Sequence, residues 1–363
     1  MKNWCNYKFL FSLIFLGDVV RFSGCYTASI TPMRKDGDID HEGLKQLVEF
    51  QVSGGVNGIL ASGTTGEGST LTPDEHTLLI ERIHEYLGKE GLTIGGTGSN
   101  CTRETMKATR HACNIGIHAV LLVDPYYNGP SSLEIRREYI EPVAAAFPGV
   151  QIILYVIPGR TGCQLLPQDI AILHSQYENV RAVKEATGNL ENMKLTRKLC
   201  GSDFDILSGD DNMTFGMMTS PDIGASGVVS VASNVAPKAV QDMTQYILNG
   251  DVEGAKKLKE ALDPLFEIVT VKTEEDTPYG PRLVRARNPL PYKTLMNVLG
   301  MPSGPCRQPL GKMTRMGLEE VLKRARSVHE KSPEILEPVE EFFDVNLSKR
   351  LYDESCWDGL HYG

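Results

Sequence analysis

Short apolar stretches alternate along the chain with longer stretches in which apolar residues recur at helical spacing. The short stretches are rich in Val, Ile and Leu, which is typical of parallel strands that are buried on both faces. We predict strands at Cys25–Thr31, Gly58–Ser62, Thr93–Gly96, Ala119–Asp124, Ile152–Ile157, Ala182–Glu185, Ile206–Ser208 and Gly227–Val231.

Helix signals lie between these strands. Thr72 can cap a helix that begins at Pro73, and Glu75 can complete a capping box. Ser131 and Glu134 form a second such box. Eight strand–helix units in a row favour a closed TIM (β/α)8 barrel, with an open parallel sheet as the structural alternative.

After the eighth strand the pattern changes to helices alone, interrupted by a polar stretch. The helices are predicted at Gln241–Asn249, Val252–Val271, Tyr292–Leu299 and Gly317–His329, and the polar stretch at Lys272–Asn288. We expect the charged C-terminal tail to be a flexible extension or to lie over a neighbouring molecule. The predicted domains are an N-terminal extension (1–21), the barrel (22–234), a C-terminal helical domain (235–330) and the tail (331–363).

Composition narrows the possible functions. The 363 residues are 41% hydrophobic and 23% charged, which is typical of a soluble globular protein, and the net charge of -9 argues against a nucleic acid partner. The eight cysteines form no C-x-x-C pair or zinc-ligand spacing, which favours reduced thiols in a cytoplasmic compartment.

The N-terminus has two interpretations. Lys2 and Lys8 precede the apolar run Phe9–Gly17, which resembles the core of a signal peptide but is too short to span a bilayer. No clean cleavage site follows it. We expect a mis-assigned start or a disordered extension, with organelle targeting as the alternative, and no membrane association.

One charged residue stands inside the apolar sixth strand. Burial disfavours the charged form of Lys184 and should lower its pKa, and a neutral amine can attack a ketone to form a Schiff base. The alternatives are an ion pair with Glu185 or a side chain that extends to the rim of the barrel.

Other strand ends carry polar groups, and in a TIM barrel these ends form the active site. Thr64 and Thr65 lie in a glycine-rich loop that would suit a carboxylate, although a plain tight turn is the alternative. Arg160 could bind a carboxylate through two hydrogen bonds or form a surface salt bridge. Asp210 and Asp211 offer too few oxygens for a metal, so we expect helix capping and no metal site.

Five motifs together resemble one known family. The motifs are Gly63-Thr64-Thr65-Gly66-Glu67, Pro125-Tyr126-Tyr127-Asn128, Tyr155 with Pro158-x-Arg160-Thr161-Gly162, Val183 to Asn189, and Ser208-Gly209-Asp210-Asp211. The set resembles the dihydrodipicolinate synthase family, within the N-acetylneuraminate lyase superfamily, over about residues 22–330.

The resemblance implies a lyase of the class I aldolase type. Such an enzyme condenses pyruvate with L-aspartate 4-semialdehyde, on the route to diaminopimelate and lysine, through a lysine imine and without a cofactor. By position, Lys184 would form the imine, Tyr155 would be the general acid/base, and Thr64 and Tyr127 would complete a proton relay. The resemblance also implies that Tyr127 serves the neighbouring subunit of a homotetramer built as a dimer of dimers.

The same resemblance implies substrate contacts. Thr65 would bind the pyruvate carboxylate, Arg160 would bind the carboxylate of the semialdehyde, and Gly209 and Val229 would line the pocket with backbone carbonyls. The departures from the family pattern remove no reacting group, and they are Val156, Gly159 and Val229.

A regulatory site is also implied. Pro73 and Gly68 do not match the residues usual at the family's lysine-binding site, so we expect weak or absent inhibition by lysine. The positions that do match that site are His76, Asn100, Glu104 and Tyr126.

Two other functions remain as alternatives. One is an N-acetylneuraminate lyase or another 2-keto-acid aldolase, but those enzymes typically have Gly-Ser-Thr-Gly-Glu in the first loop and lack an arginine like Arg160. The other is a non-catalytic barrel that acts as a binding or scaffold protein.

Overall fold

The structure, a computed structural model, describes residues 21–362. The predicted N-terminal extension therefore lies outside the described residues, except for Arg21. The barrel strands are β1 (Gly24–Ala28), β2 (Gly58–Ala61), β3 (Leu92–Gly96), β4 (Ala119–Val123), β5 (Gln151–Val156), β6 (Val180–Glu185), β7 (Asp205–Ser208) and β8 (Gly227–Ser230).

These strands form a closed parallel barrel, because β1 pairs with both β2 and β8. The predicted TIM barrel is thus confirmed, and the open sheet is excluded. Within residues 21–362 the α-helices are α1 (His41–Ser53), α2 (Pro73–Leu87), α3 (Thr102–Asn114), α4 (Ser132–Glu134), α5 (Glu141–Ala146), α6 (Pro158–Thr161), α7 (Pro167–Gln176), α8 (Leu190–Cys200), α9 (Asp211–Thr219), α10 (Pro237–Leu248), α11 (Val252–Phe266), α12 (Leu290–Leu299), α13 (Arg315–Lys331), α14 (Glu337–Phe343) and α15 (Leu347–Tyr352).

Local sequence explains where the helices begin. Both predicted capping boxes are present, with Thr72 and Glu75 at the start of α2 and Ser131 and Glu134 at the start of α4. A π-helical segment, Ile135–Ile140, joins α4 to α5. Each box satisfies backbone N–H groups that the first turn of a helix would otherwise leave without acceptors.

Strand alternation decides which side chains point into the barrel. On β5 and β6, Leu154 and Val183 pack against the outer helices, whereas Ile153, Tyr155 and Ala182 pack in the interior. Because Lys184 follows Ala182 by two residues, its side chain also points inward. The barrel interior therefore receives both Tyr155 and Lys184.

The helix α10 packs against β1, α1 and α9, and so completes the ring of helices around the barrel. The predicted boundary between residues 234 and 235 falls just before this helix, and the division into domains stays a prediction. Sequence alone suggested a boundary there because the strands end at Ser230.

A β-hairpin corrects the prediction of helices alone after the barrel. The helix α11 ends at Phe266, before the predicted end at Val271. Antiparallel β9 (Thr270–Glu275) begins two residues before the predicted polar stretch, and β10 (Arg282–Arg287) lies inside that stretch. Val271 and Thr273 are buried while Lys272 is exposed, so burial alternates with the period of two expected for a strand.

The C-terminal tail is not a flexible extension, whereas a contact with a neighbouring molecule stays a prediction. Leu347, Leu351 and Trp357 are buried in the same core cluster as α13. The N–H of Tyr362 donates to the carbonyl oxygen of Met313 at 2.9 Å. Leucines four residues apart on α15 share one helix face, and that short apolar pattern is masked by the charged residues around it.

Two further findings concern the described residues only. None of the helices in residues 21–362 combines the length and the apolar character needed to cross a membrane. The cysteines of this part of the chain are free thiols.

Candidate active site

Lys184 and Tyr155 are direct neighbours across β6 and β5. The Nζ atom of Lys184 lies 4.3 Å from the centre of the Tyr155 ring, and both side chains are buried. Burial lowers the pKa of Lys184 to about 7; the charge of Asp211 opposes this change, and that of Arg160 adds to it. At neutral pH a large share of this amine is therefore neutral and nucleophilic.

Lys184 neither pairs with Glu185 nor extends to the rim of the barrel, which were the two alternatives to a reactive amine. The carboxylate of Glu185 points away from it and accepts a hydrogen bond from the N–H of Thr187 at 2.7 Å. The lysine is only 5% exposed, so it does not extend to solvent at the rim. Its place is the interior of the barrel.

Gly209 leaves space for the Lys184 side chain. A Cβ atom at Gly209 would lie 2.9 Å from the Cβ of Ala186 and 3.2 Å from the Cγ of Lys184. Any side chain here would press on the lysine. Val229, the other residue predicted to line the pocket, is buried on β8 in the same interior cluster as Tyr155.

Two adjacent aspartates divide their roles. Asp210 caps α9 by accepting from the N–H of Asn212, which confirms the predicted capping. Asp211 accepts instead from the Ser230 hydroxyl at 2.5 Å and from the N–H of Val231 at 2.9 Å. Burial raises the pKa of Asp211 to about 6, and its charge acts on Lys184. No motif in the sequence indicates this electrostatic contact between Asp211 and Lys184.

Opposing effects act on the pKa of the Tyr155 phenol. Burial raises its pKa, while the positive charge of Arg160 and hydrogen bonding by the Thr64 side chain act in the opposite direction. Thr64 and Tyr155 are thus brought together, as the resemblance implies. A phenol held by a hydroxyl and a nearby cation can exchange protons more readily than an isolated buried phenol.

Thr65 is oriented by a residue that sequence reasoning missed. The Nδ2 of Asn288 donates to the Thr65 Oγ1 at 2.9 Å, and both residues are buried. Because the Thr65 oxygen accepts this bond, its own O–H is left to donate. An O–H donor held in this way suits a carboxylate ligand.

Arg160 is joined to the end of the hairpin by a reciprocal pair of contacts. Its Nη2 donates to the carbonyl oxygen of Asn288 at 2.9 Å, and the Nη1 of Arg287 donates to the carbonyl oxygen of Gly159 at 3.3 Å. Burial lowers the pKa of Arg160, and the charges of Arg287 and Arg285 lower it further, whereas Tyr155 acts in the opposite direction. The predicted carboxylate-binding arginine therefore lies in a strongly positive region.

Tyr127 does not join this cluster within its own chain. It is 91% exposed, and its backbone has a φ of 84°, a left-handed conformation that is rare for a bulky residue. The proposed relay to a neighbouring subunit stays a prediction.

A buried ion pair fixes the loop that carries Thr64 and Thr65. Glu67 Oε1 accepts from Lys293 Nζ at 2.6 Å, and the two side chains are at most 1% exposed. Lys293 also donates to the carbonyl oxygens of Thr31 and Pro305. All three donors of the ammonium are satisfied, so this pair holds the loop against α12.

Three of the four candidate regulatory residues meet around Ser99. Its Oγ donates to Glu104 Oε2 at 2.7 Å and approaches Asn100 Oδ1 at 3.4 Å, and its side chain hydrogen-bonds to Tyr126. His76 is apart from these contacts, and burial lowers its pKa. Ser99 is a central member of this cluster that the motifs did not indicate.

Comparisons with known proteins agree with this geometry. Residues 21–327 match the model of the dihydrodipicolinate synthetase family. The 4-hydroxy-tetrahydrodipicolinate synthase of Geobacter sulfurreducens is 40% identical over 293 residues, which cover 81% of this chain and 94% of that protein.

Solved structures give the same result. The 4-hydroxy-tetrahydrodipicolinate synthase of Methylacidiphilum fumariolicum SolV matches with a TM-score of 0.79 and 33% identity, over 89% of this chain and 99% of that one. The chloride-inhibited dihydrodipicolinate synthase of Acinetobacter baumannii, solved in complex with pyruvate, matches with a TM-score of 0.76 and 32% identity, over 85% of this chain and 99% of that one. The resemblance seen in the sequence is confirmed: this chain belongs to the dihydrodipicolinate synthetase family.

Proposed function

We propose that this chain condenses pyruvate with L-aspartate 4-semialdehyde and acts as a 4-hydroxy-tetrahydrodipicolinate synthase. The observation that carries the proposal is the buried contact between Lys184 and Tyr155, in which an amine of lowered pKa lies beside a phenol. An amine and a proton carrier at this distance provide the two groups that imine formation needs.

In the first half of the reaction, the neutral amine of Lys184 attacks the ketone carbon of pyruvate. The adduct loses water to give a C=N bond, and Tyr155, linked to Thr64, moves the protons. The Thr65 O–H binds the pyruvate carboxylate. The protonated imine withdraws electrons, so a methyl proton of pyruvate can leave to give an enamine without a metal or an organic cofactor.

In the second half, the enamine carbon attacks the aldehyde carbon of the semialdehyde, which forms the new C–C bond, and the aldehyde oxygen takes up a proton. The amino group of the semialdehyde then attacks the imine carbon and displaces Lys184, which closes the ring and frees the amine for the next pyruvate. Arg160 supports this assignment because its guanidinium lies beside Tyr155 and can bind the carboxylate of the incoming aldehyde. Gly209 leaves the space in which the lysine adduct moves.

Borohydride reduction in the presence of pyruvate tests the imine. We expect a stable increase in the mass of the protein that maps to the peptide containing Lys184, and no increase in a Lys184→Met variant. A label on another lysine, or no label, would contradict the proposal.

A direct comparison of substrates separates the synthase from an N-acetylneuraminate lyase. We expect turnover of pyruvate with aspartate semialdehyde and none of N-acetylneuraminate. The hydrogen bond of Thr64 to Tyr155 and the positive charge of Arg160 near that phenol support this expectation. The reverse preference would favour the lyase, and inactivity in both assays together with no imine would favour a scaffold.

Self-association is part of the proposal. The exposed Tyr127, with its left-handed backbone, is supported as the relay residue of a partner in a homotetramer. Co-expression of Tyr127→Phe with Lys184→Met chains tests this, because a mixed pair would restore one complete site. Failure to regain activity in verified mixed oligomers would contradict the exchange of Tyr127.

Regulation and location complete the proposal. We place the enzyme in the cytoplasm, supported by the free thiols of the described residues. We also expect weak or absent inhibition by lysine, because Pro73 and Gly68 depart from the usual residues. Titration with L-lysine tests this, and strong cooperative inhibition would contradict it.

A further inference from the structure

The β9–β10 hairpin has two chemically different faces. Val271 lies opposite Ala286 in the register, and this face packs on the C-terminal core. The other face carries Arg285, which lies opposite Lys272, and Arg287. Side chains two residues apart on a strand share a face, so the hairpin presents a row of cations on the side away from that core.

Arg287 stands at the end of this row that reaches the active site. The contact between its Nη1 and the carbonyl oxygen of Gly159 places its guanidinium beside the residue that follows Gly159, which is Arg160. The charge of Tyr155 acts on both guanidinium groups. Arg287 therefore shares the electrostatic environment of the reacting groups.

The free edge of Arg287 is suited to a carboxylate. With Nη1 used for Gly159, the Nε atom is buried without a hydrogen-bond acceptor within residues 21–362. Nε and Nη2 form the side of a guanidinium that binds a carboxylate with two parallel hydrogen bonds. A buried donor without an acceptor is costly, and a ligand that supplies oxygens would remove that cost.

Positive charge in this region also lacks a counter-ion from the described chain. Among residues 21–362, no carboxylate forms an ion pair with Arg160 or Arg287. The two cations instead repel each other, since each lies in the field of other arginines. An anionic ligand is what this arrangement fits.

We propose that Arg287 is a second substrate-binding arginine, which binds the carboxylate of the semialdehyde together with Arg160. This assignment rests on the proposed function. The pyruvate carboxylate is already provided for by Thr65, so Arg287 contributes to the second substrate only. The hairpin thus serves as a specificity element that selects aldehydes bearing a carboxylate.

Steady-state kinetics of Arg287→Leu tests the assignment. We expect the KM for aspartate semialdehyde to rise about 10- to 100-fold, because a charge-assisted contact is lost. The KM for pyruvate and the borohydride-trapped adduct at Lys184 should not change. Arg287→Lys should restore the semialdehyde KM only in part, because it keeps the charge but loses the paired hydrogen bonds.

Arg282→Leu is the matched control, since it removes an exposed arginine from the same strand on the opposite face. It should leave both KM values unchanged. An unchanged semialdehyde KM in Arg287→Leu, or an equal loss of pyruvate trapping, would overturn the role of Arg287 while leaving the proposed function in place. Absence of trapping and condensation in the unmodified chain would overturn both.

Discussion

Asn288, at the end of the hairpin, donates a hydrogen bond from Nδ2 to the Oγ1 of Thr65, 2.9 Å away in the loop after β2. The two residues are 223 positions apart in the chain. The contact sets the direction of the Thr65 O–H, so part of the pyruvate site depends on a segment outside the barrel.

Asn288→Ala should weaken this orientation. We expect the KM for pyruvate to rise about 2- to 10-fold, the range for one neutral hydrogen bond. Asn288→Asp should have a larger effect, because it places a carboxylate next to the substrate carboxylate. Asn249→Ala, at the exposed end of α10, is the control and should leave the kinetics unchanged. Equal pyruvate KM values in the unmodified chain and the three variants would show that the bond from Asn288 to Thr65 does not orient the pyruvate site.

Lys184→Met should stabilise the folded protein. The pKa of Lys184 falls from 10.5 to about 7 on folding, so between these values the unfolded chain binds a proton that the folded chain does not. The free energy of unfolding of the unmodified chain therefore rises with pH across this window. We expect the variant to be more stable by roughly 2–4 kcal/mol at pH 7.

Urea unfolding at several pH values measures this difference. The gap between Lys184→Met and the unmodified chain should be full below pH 7 and should shrink toward pH 10. Lys107→Met, an exposed change on α3, should show no such dependence. A constant gap would mean that the lysine's charge is not the cause.

Tyr155→Phe should remove the proton carrier and keep the fold. We expect kcat/KM to fall about 10²- to 10⁴-fold, the usual contribution of a general acid/base. Tyr26→Phe is a matched control, because Tyr26 is also a buried tyrosine of the barrel interior but lies in the middle of β1. Comparable losses in both variants would point to packing rather than proton transfer.

Glu67→Gln should strongly destabilise the protein. Removing one member of a buried pair leaves the Lys293 ammonium without its counter-ion, which costs about 3–5 kcal/mol. Glu191→Gln, which breaks the exposed contact with Lys194, should leave the free energy of unfolding nearly unchanged. Chemical denaturation measures both, and equal small losses would show that the buried pair does not stabilise the fold.

The barrel could be predicted because its strands are continuous apolar stretches, and Lys184 was conspicuous as a charge inside one of them. Thr64, Thr65 and Arg160 followed from motifs at strand ends. Asn288 and Arg287 could not be found in this way, since their roles depend on contacts over more than 120 positions of chain. The alternation of β9 and β10 is short and polar, so it resembled a loop.

The buried ion pair between Glu67 and Lys293 limits where this chain can be recombined with a homologue. A chimera that joins two homologues at residue 234 would take the Thr65–Glu67 loop from one parent and Asn288 and Lys293 from the other. Crossover points after α12 keep these partners within one parent. Libraries of chimeras built on this chain should therefore contain more folded and active members when the crossover point lies beyond Leu299 than when it lies at residue 234.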